Sequence, residues 1–537
     1  MTLPDVPGTR VSARRGVLQV RAGRVADLAS LAVVSIGSQA VSEIDVEVER
    51  WRAPRLGWFG ALRLPGIASS TVEPTKTGVR VRLALVAPTD PGLVLAATVR
   101  LLRPTAPVQT PAEPTFAPGL PASAGLLAGW VRDVLLPQEK RDRHVRRSDT
   151  LVCAGEPGED PGRTRTVIVG PTGWTAGDHR FDVSVDPSVH RPVGRRSTGP
   201  WLRAAARAGV GRDGQAAVTI DGPDGPVVVG AELDLGAVAA LRSAAAVVGD
   251  VPARLAQQLA ACGIVAVPSV DDLPGGGPSE DLAWQSRSVH DRRHALRAHG
   301  PWSALDAWPT VSVVLVTHRP EQIAHLIAQV SRLAYPRLEI VLGLHGDAID
   351  GAVVWEAAQA VPHPVTIVGV DASLTLGEAL QRCSDRAEGT LVTKMDDDDY
   401  YGAEHVWDLV LAREYSGAQI VGKTLDWVYL EHDDTTVFRP VYAAEKYASF
   451  VAGGTMLVSR ADLAAVGGWR PVPRSVDRAL LDRVLLDGGL VYRTHGLGYT
   501  YVRRDGGRTA SVRDEHFLTR TEATFPGLLR DAALGTA

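Results

Sequence analysis

Apolar and polar positions alternate most regularly between residues 309 and 400. Mainly apolar runs at 311–316, 338–343, 365–370 and 390–395 predict four short strands. Amphipathic stretches at 320–333, 352–360 and 373–387 separate them and predict helices. Pro320 opens the first of these helices, where a missing N–H costs nothing. Strands that are mainly apolar are covered on both faces, and strands alternating with helices form a parallel sheet with right-handed crossovers. Each loop leaving a strand therefore opens on one edge of the sheet. Thr317, His318, Arg319, Asp347, Asp371 and the run Asp396-Asp397-Asp398-Asp399 all fall on that edge. Ligands of open α/β sheets bind there.

Upstream the pattern changes. Residues 1–110 hold short β-rich runs at 17–20, 32–35, 44–49, 79–83 and 93–99, punctuated by glycine, proline and Thr89-Asp90-Pro91-Gly92. Residues 44–49 alternate apolar and acidic positions, as a half-buried strand does. The expectation is a β-sandwich-like domain, with Trp51, Trp58 and Phe59 in its core or at an interface. Residues 103–121 are rich in proline, threonine and alanine and read as a linker. The region 122–300 reads as a small α/β domain of undetermined role. It includes a helix at 126–136, a charged run at 140–147 that fits a solvated face, a strand–helix–strand unit across 247–267, and a helix at 284–308. No phosphate-cradling glycine loop opens any of its helices. The division is thus 1–110, 122–300 and 309–537, the last a Rossmann-like α/β domain.

Composition narrows the field. A chain of 537 residues with 45% hydrophobic and 22% charged content is ordinary globular protein, and a net charge of −4 offers no basic field for nucleic acid. Cys153, Cys262 and Cys383 show neither zinc spacing nor a disulfide framework, which fits a reducing, cytoplasmic compartment. No stretch has the roughly 18 unbroken apolar residues of a membrane span, which leaves peripheral membrane contact open. The N-terminus carries arginines without the apolar core of a signal peptide.

The chemistry concentrates in Lys394-Met395 and the four acids that follow. Adjacent carboxylates repel unless a cation or solvent screens them. Hard divalent cations prefer oxygen ligands and keep positions open for phosphate oxygens. The reading is a site for Mn²⁺ or Mg²⁺ and a diphosphate.

Several ordered segments then resemble one family. They are Val313-Val314-Leu315-Val316-Thr317-His318-Arg319-Pro320, Leu374-Thr375-Leu376-Gly377-Glu378-Ala379-Leu380, Ala387-Glu388-Gly389, the acidic run itself, Gly453-Gly454-Thr455-Met456, and Val466-Gly467-Gly468-Trp469-Arg470. Residues 309–500 resemble the family 2 glycosyltransferases of GT-A fold. The resemblance implies an inverting, metal-assisted sugar transfer from a nucleotide-sugar donor to a glycan or lipid-linked acceptor. It assigns the metal to Asp396, Asp398 and Asp399, and the nucleotide sugar to Thr317, His318, Arg319, Asp347, Asp371, Gly377, Lys394 and Asp397. Gly453, Gly454 and Trp469 would meet the acceptor. Asp477 would be the general base, and a helix's first turn would depress its pKa. Val476 and Arg508 depart from the family's pattern, the second replacing a potential metal ligand with a cation. His495 could then reach the metal, and Arg503 or Arg504 could hold the diphosphate. A nucleotidyltransferase and a non-catalytic sugar-binding protein are the rival classes. The first usually carries a glycine-rich basic loop after the opening strand, which Thr317-His318-Arg319-Pro320 is not.

Overall fold

The structure is a computed structural model. It describes residues 5–14, 17–35, 39–51, 67–102, 151–154, 166–170, 173–176, 179–181, 184–185, 189–192, 203–210, 216–222, 225–230, 232–241, 244–275, 277–300, 308–504 and 515–537. The chain divides into two compact units, the second beginning at Trp308.

The first unit opens with a five-stranded sheet in the order β1-β2-β3-β5-β4. Its strands are β1 (Thr9–Arg14), β2 (Val17–Ala22), β3 (Val41–Val48), β4 (Ile67–Pro74) and β5 (Val79–Thr89). Helix α1 (Val25–Val34) crosses between the parallel pair β2 and β3, and α2 (Pro91–Leu102) follows β5. This overturns the β-sandwich expectation: two segments anticipated as strands, 32–35 and 93–99, belong to these helices or their ends.

The reasons are local. In α1 the buried positions Leu28, Ala29, Leu31 and Ala32 recur at helical spacing, and Asp27 Oδ2 accepts the Arg24 N–H at 2.9 Å across the first turn. Helix α2 is buried from Val94 to Leu102 without a polar face, so no helical period shows in its sequence. Its start does show, because Asp90 Oδ1 accepts the Gly92 N–H at 2.8 Å and Pro91 takes the first helical position. Trp51 donates its indole N–H to Leu102 O at 2.9 Å. Trp58 and Phe59 lie outside the described residues. One sheet face buries Leu18, Val20, Ile44, Val46, Val81 and Leu83. The other carries Arg21, Asp45, Glu47, Arg80 and Arg82 in ion pairs.

Further on come a four-stranded sheet, β6 (Leu151–Ala154), β7 (Thr166–Gly170), β8 (Gly173–Ala176) and β9 (His179–Phe181), and a five-stranded one of mixed direction. The latter comprises β10 (Arg203–Val210), β11 (Ala216–Gly222), β12 (Gly225–Val229), β13 (Ala246–Val248) and β14 (Val265–Val267). Helix α3 (Leu235–Leu241) follows β12, and α4 (Ala253–Ala261) joins the parallel strands β13 and β14. Helix α5 (Pro278–His299) begins earlier than anticipated, with Pro278 at its first position, and ends earlier too. The anticipated helix at 126–136 and the charged run at 140–147 lie outside the described residues.

The second unit holds the expected parallel strands. These are β15 (Val311–Thr317), β16 (Leu338–His345), β17 (Val365–Val370) and β18 (Leu391–Lys394), hydrogen-bonded in the order β17-β16-β15-β18 and all parallel. Helices α6 (Ile323–Ser331), α7 (Gly351–Ala358) and α8 (Leu376–Ser384) cross between them. A two-residue strand, β19 (Tyr400–Tyr401), and α9 (His405–Ser416) follow the acids. The sheet continues through β24 (Leu457–Ser459), antiparallel to β18, then β20 (Ile420–Lys423), β25 (Val491–Thr494) and β23 (Lys446–Tyr447). Helix α10 (Arg460–Ala465) follows β24, and α11 (Val476–Leu486) precedes β25. A smaller sheet runs β19-β26-β21-β22-β27, with β21 (Trp427–Leu430), β22 (Thr435–Phe438), β26 (Tyr499–Arg503) and β27 (Ala523–Pro526).

The chain's last residues pack beneath the acidic loop. Thr500 Oγ1 donates to Leu534 O at 3.0 Å, Arg332 Nη1 donates to Gly535 O at 2.7 Å, and a side chain at Gly535 would collide with the Tyr401–Gly402 backbone. Among the described residues no helix is long and apolar enough to cross a membrane.

Candidate functional site

Strand β18 delivers Lys394 to the carboxyl edge of the parallel sheet, and Met395 N–H still bonds Val314 O at 3.1 Å. The chain then leaves the sheet through the four acids and is recaptured by β19, which pairs with β26. The backbone bends at Asp397, Asp398 and Asp399, and the acids diverge to different partners.

Asp396 and Asp477 meet over one lysine. Lys394 Nζ lies 2.5 Å from Asp396 Oδ1 and 3.3 Å from Asp477 Oδ1. Asp477 stands in the first turn of α11, after Ser475 at φ 57°. Gly453 and Gly454 make room for both acids. A Cβ on Gly453 would overlap Asp477 Oδ2, and one on Gly454 would crowd Asp396 Oδ2. Tyr401 ties the same loops together, its hydroxyl accepting the Asp396 N–H at 2.8 Å and donating to Gly454 O at 3.0 Å.

Burial pushes the Asp477 carboxyl above the ordinary range; Lys394 opposes this and Asp396 adds to it. The depression expected from the helix's first turn is thereby overturned, since loss of water and a neighbouring acid outweigh half a peptide charge. For Lys394, burial works against the charge, but Asp396 and Asp477 more than restore it and hold the ammonium above its ordinary pKa.

Asp397 and Asp398 meet Arg319. Asp397 accepts from Thr317 Oγ1 at 2.5 Å and from Arg319 Nε and Nη2 through both oxygens, a side-on fork that fixes Arg319. Asp398 Oδ2 lies 2.9 Å from Arg319 Nη2 and 3.8 Å from Arg504 Nε. Arg504 also donates to Gln322 Oε1 at 3.0 Å, so it bridges the acidic loop and the turn after β15. Desolvation raises the Asp398 carboxyl despite Arg319.

Other anticipated residues are placed differently. Asp399 is fully buried, and its two oxygens accept from Tyr499 OH at 2.8 Å and Val502 N–H at 2.9 Å. It fastens the loop to β26, both oxygens engaged by the fold itself, where the resemblance implied a metal ligand. Burial, with Asp398 and Asp396 nearby, pushes its carboxyl well above the usual range. Trp469 is no acceptor platform either. It is buried in the core, its backbone N–H bonds Gln381 Oε1 at 2.8 Å and its indole N–H bonds Ser384 Oγ at 2.9 Å. Gly377 is there for packing, because a side chain would overlap Arg470 O.

His495 is buried beside Asp408, 3.4 Å from its Oδ1, and Arg503 stacks on Phe517 at 5.7 Å, so neither takes the role considered for it. Arg508 lies outside the described residues. His318, Asp347 and Asp371 are exposed at the strand ends as anticipated. Asp371 accepts from the Ser373 hydroxyl at 2.6 Å and N–H at 2.8 Å, which lowers its pKa. The sequence reading missed Tyr401, Tyr499 and Gln322 as parts of the site. Only Tyr401 carried a signal, its place in the tyrosine pair that follows the acids.

Among the described residues no three acidic, imidazole or thiol groups converge on one point. Asp398 nevertheless engages Arg319 and Arg504 through Oδ2. A single carboxylate completed by phosphate oxygens is a usual donor set for Mg²⁺, and Asp398 fits it.

The second unit is thus a mostly parallel α/β fold with acids and cations gathered at its carboxyl edge. No protein-family model matches the chain, and no protein of curated function matches it. Solved GT-A glycosyltransferases are similar to it. For S. aureus TarS residues 1–349 with UDP-GlcNAc the identity is 16% and the TM-score 0.31, over 38% of this chain and 61% of that one. For the mannosyltransferase PcManGT from Pyrobaculum calidifontis with GDP-Man and Mn²⁺ the identity is 16% and the TM-score 0.30, over 42% of this chain and 69% of that one. The chain spans about three fifths of the length of the TarS fragment it matches.

Proposed function

We propose that the second unit transfers a sugar from a nucleoside-diphosphate donor to an acceptor hydroxyl, with inversion. The observation that supports this reading is the meeting of Asp477, from a separate helix, with the acidic loop over Lys394. An acid whose pKa is raised toward the working pH is suited to general-base work. Asp477 takes the proton of the acceptor hydroxyl as that oxygen bonds to the anomeric carbon. The bond from that carbon to the diphosphate oxygen breaks, and the electron pair leaves with the nucleoside diphosphate. One displacement inverts the centre.

Arg319 and Arg504 provide positive charge beside the leaving diphosphate, and fixed guanidiniums suit phosphate oxygens. Thr317, His318, Asp347 and Asp371 line the nucleotide's side of the edge. Asp398 would hold Mn²⁺ or Mg²⁺, which when bound neutralises diphosphate oxygens. Gly453 and Gly454 let the Asp477 and Asp396 carboxylates pack close beside them, and the acceptor, of glycan or lipid-linked kind, would approach Asp477 there, with membrane contact at most peripheral.

The test is incubation with UDP-GlcNAc, GDP-mannose and further nucleotide sugars in Mn²⁺, with released products separated. Nucleoside diphosphate is the expected product. Pyrophosphate release would establish a nucleotidyltransferase instead, and binding without turnover a non-catalytic protein.

A further inference from the structure

We propose that Lys394 is a positioning residue, which acts through Asp477 by holding one carboxylate oxygen inward so that the other faces the acceptor. The proposal deepens the transfer reading and rests on it. Lys394 closes a strand whose residues are all buried, and its side chain is 4% exposed. Such a cation has no route to bulk water and stays charged through its partners. Two acids from different elements supply them, each by one oxygen, Asp396 Oδ1 at 2.5 Å and Asp477 Oδ1 at 3.3 Å. The remaining oxygens, Asp396 Oδ2 and Asp477 Oδ2, lie over Gly454 and Gly453, where a side chain would collide with them. The side chain of Asp477 is 30% exposed, so its outer oxygen is reachable while its inner one is held. The lysine therefore fixes the carboxylate's rotation, and the paired glycines allow the outer oxygens the places they take. A lysine that bound the donor diphosphate directly would have to leave both acids. A lysine that merely balanced charge would serve the fold equally well with any base at 477.

A double-mutant cycle separates these roles. The rate followed is hydrolysis of whichever of UDP-GlcNAc and GDP-mannose the protein turns over, with UDP and GDP affinities by calorimetry on the same samples. Lys394→Met is expected to lower turnover roughly 30-fold or more in the natural background and less than about threefold in Asp477→Asn, with nucleotide affinity within about threefold of the parent. Equal losses in both backgrounds would overturn the proposal, as would a loss of nucleotide affinity matching the loss of turnover. Lys394→Gln, which keeps an uncharged donor at the same place, repeats the cycle if the methionine variant fails to fold. The transfer reading fails separately: neither nucleotide binds, or Asp477→Asn keeps full turnover.

Discussion

The acids of the N-terminal sheet and those of the C-terminal edge are the same chemical groups driven in opposite directions. Asp45 on β3 accepts from Arg80 at 2.6 Å and 2.8 Å, and that fork outweighs its partial burial and lowers its pKa. Asp398, Asp399 and Asp477 also have donors within reach, yet burial comes first among their causes and raises all three. The difference is crowding and loss of water. On the sheet, Asp45 faces Arg80 and Arg82. At the edge, each acid has a further acid beside its donor, which adds to the rise. Carboxylates kept together at such a cost in solvation are what the proposed donor site would use, whereas solvated pairs need no ligand to explain them.

The sharpest way to break this comparison is Asp477→Asn. Turnover should fall by about 10²- to 10⁴-fold, the usual worth of a general base, while calorimetry shows nucleotide binding retained. Gly453→Ala should follow, at about 10²-fold, because the new methyl displaces the Asp477 carboxylate without touching its charge. The pH profile sharpens the contrast. A base with a raised pKa is protonated, and idle, below that pKa. The acid limb of the turnover rate should therefore lie above the ordinary carboxylate range, and a limb near pH 4 would place the active acid among solvated groups.

Asp399→Ala should act on stability instead. It leaves the Val502 N–H and Tyr499 hydroxyl without their acceptor, and chemical denaturation should show a loss of about 1–3 kcal/mol. Asp45→Asn should be the mildest, at most about 1 kcal/mol by the same measurement. Its sign is also opposite in pH. The lowered pKa means that the ionised pair stabilises the fold above the unfolded carboxyl's pKa, and this is lost as pH falls through the folded value.

The parallel half of the C-terminal sheet was legible because its strands are mainly apolar and the handedness of their crossovers brings every following loop to one edge. That rule placed Thr317, Arg319, Asp371 and the acids together before any coordinates. It could not say which of four neighbouring acids faces outward. Asp399 is turned inward by Tyr499 and Val502, a hundred residues further along the chain. Trp469 was misplaced for the same reason, since Gln381 and Ser384, which claim it, belong to a helix more than eighty residues earlier. In the N-terminal sheet, α2 was read as a strand because a helix buried on all sides loses the period that betrays helices. The Asp-Pro step before it fits a turn equally well, and only the Asp90 cap and Pro91 at the first position reveal the helix start.

The contacts of Leu534 and Gly535 with Thr500, Arg332 and the backbone after Tyr401 have a consequence for biogenesis. Strands β15 to β18 can pair as soon as they leave the ribosome, but the turn carrying the acids gains its underside only when residues near 535 have been made. The nascent domain is therefore a scaffold first and a binding surface only later, once residues 534 and 535 have emerged.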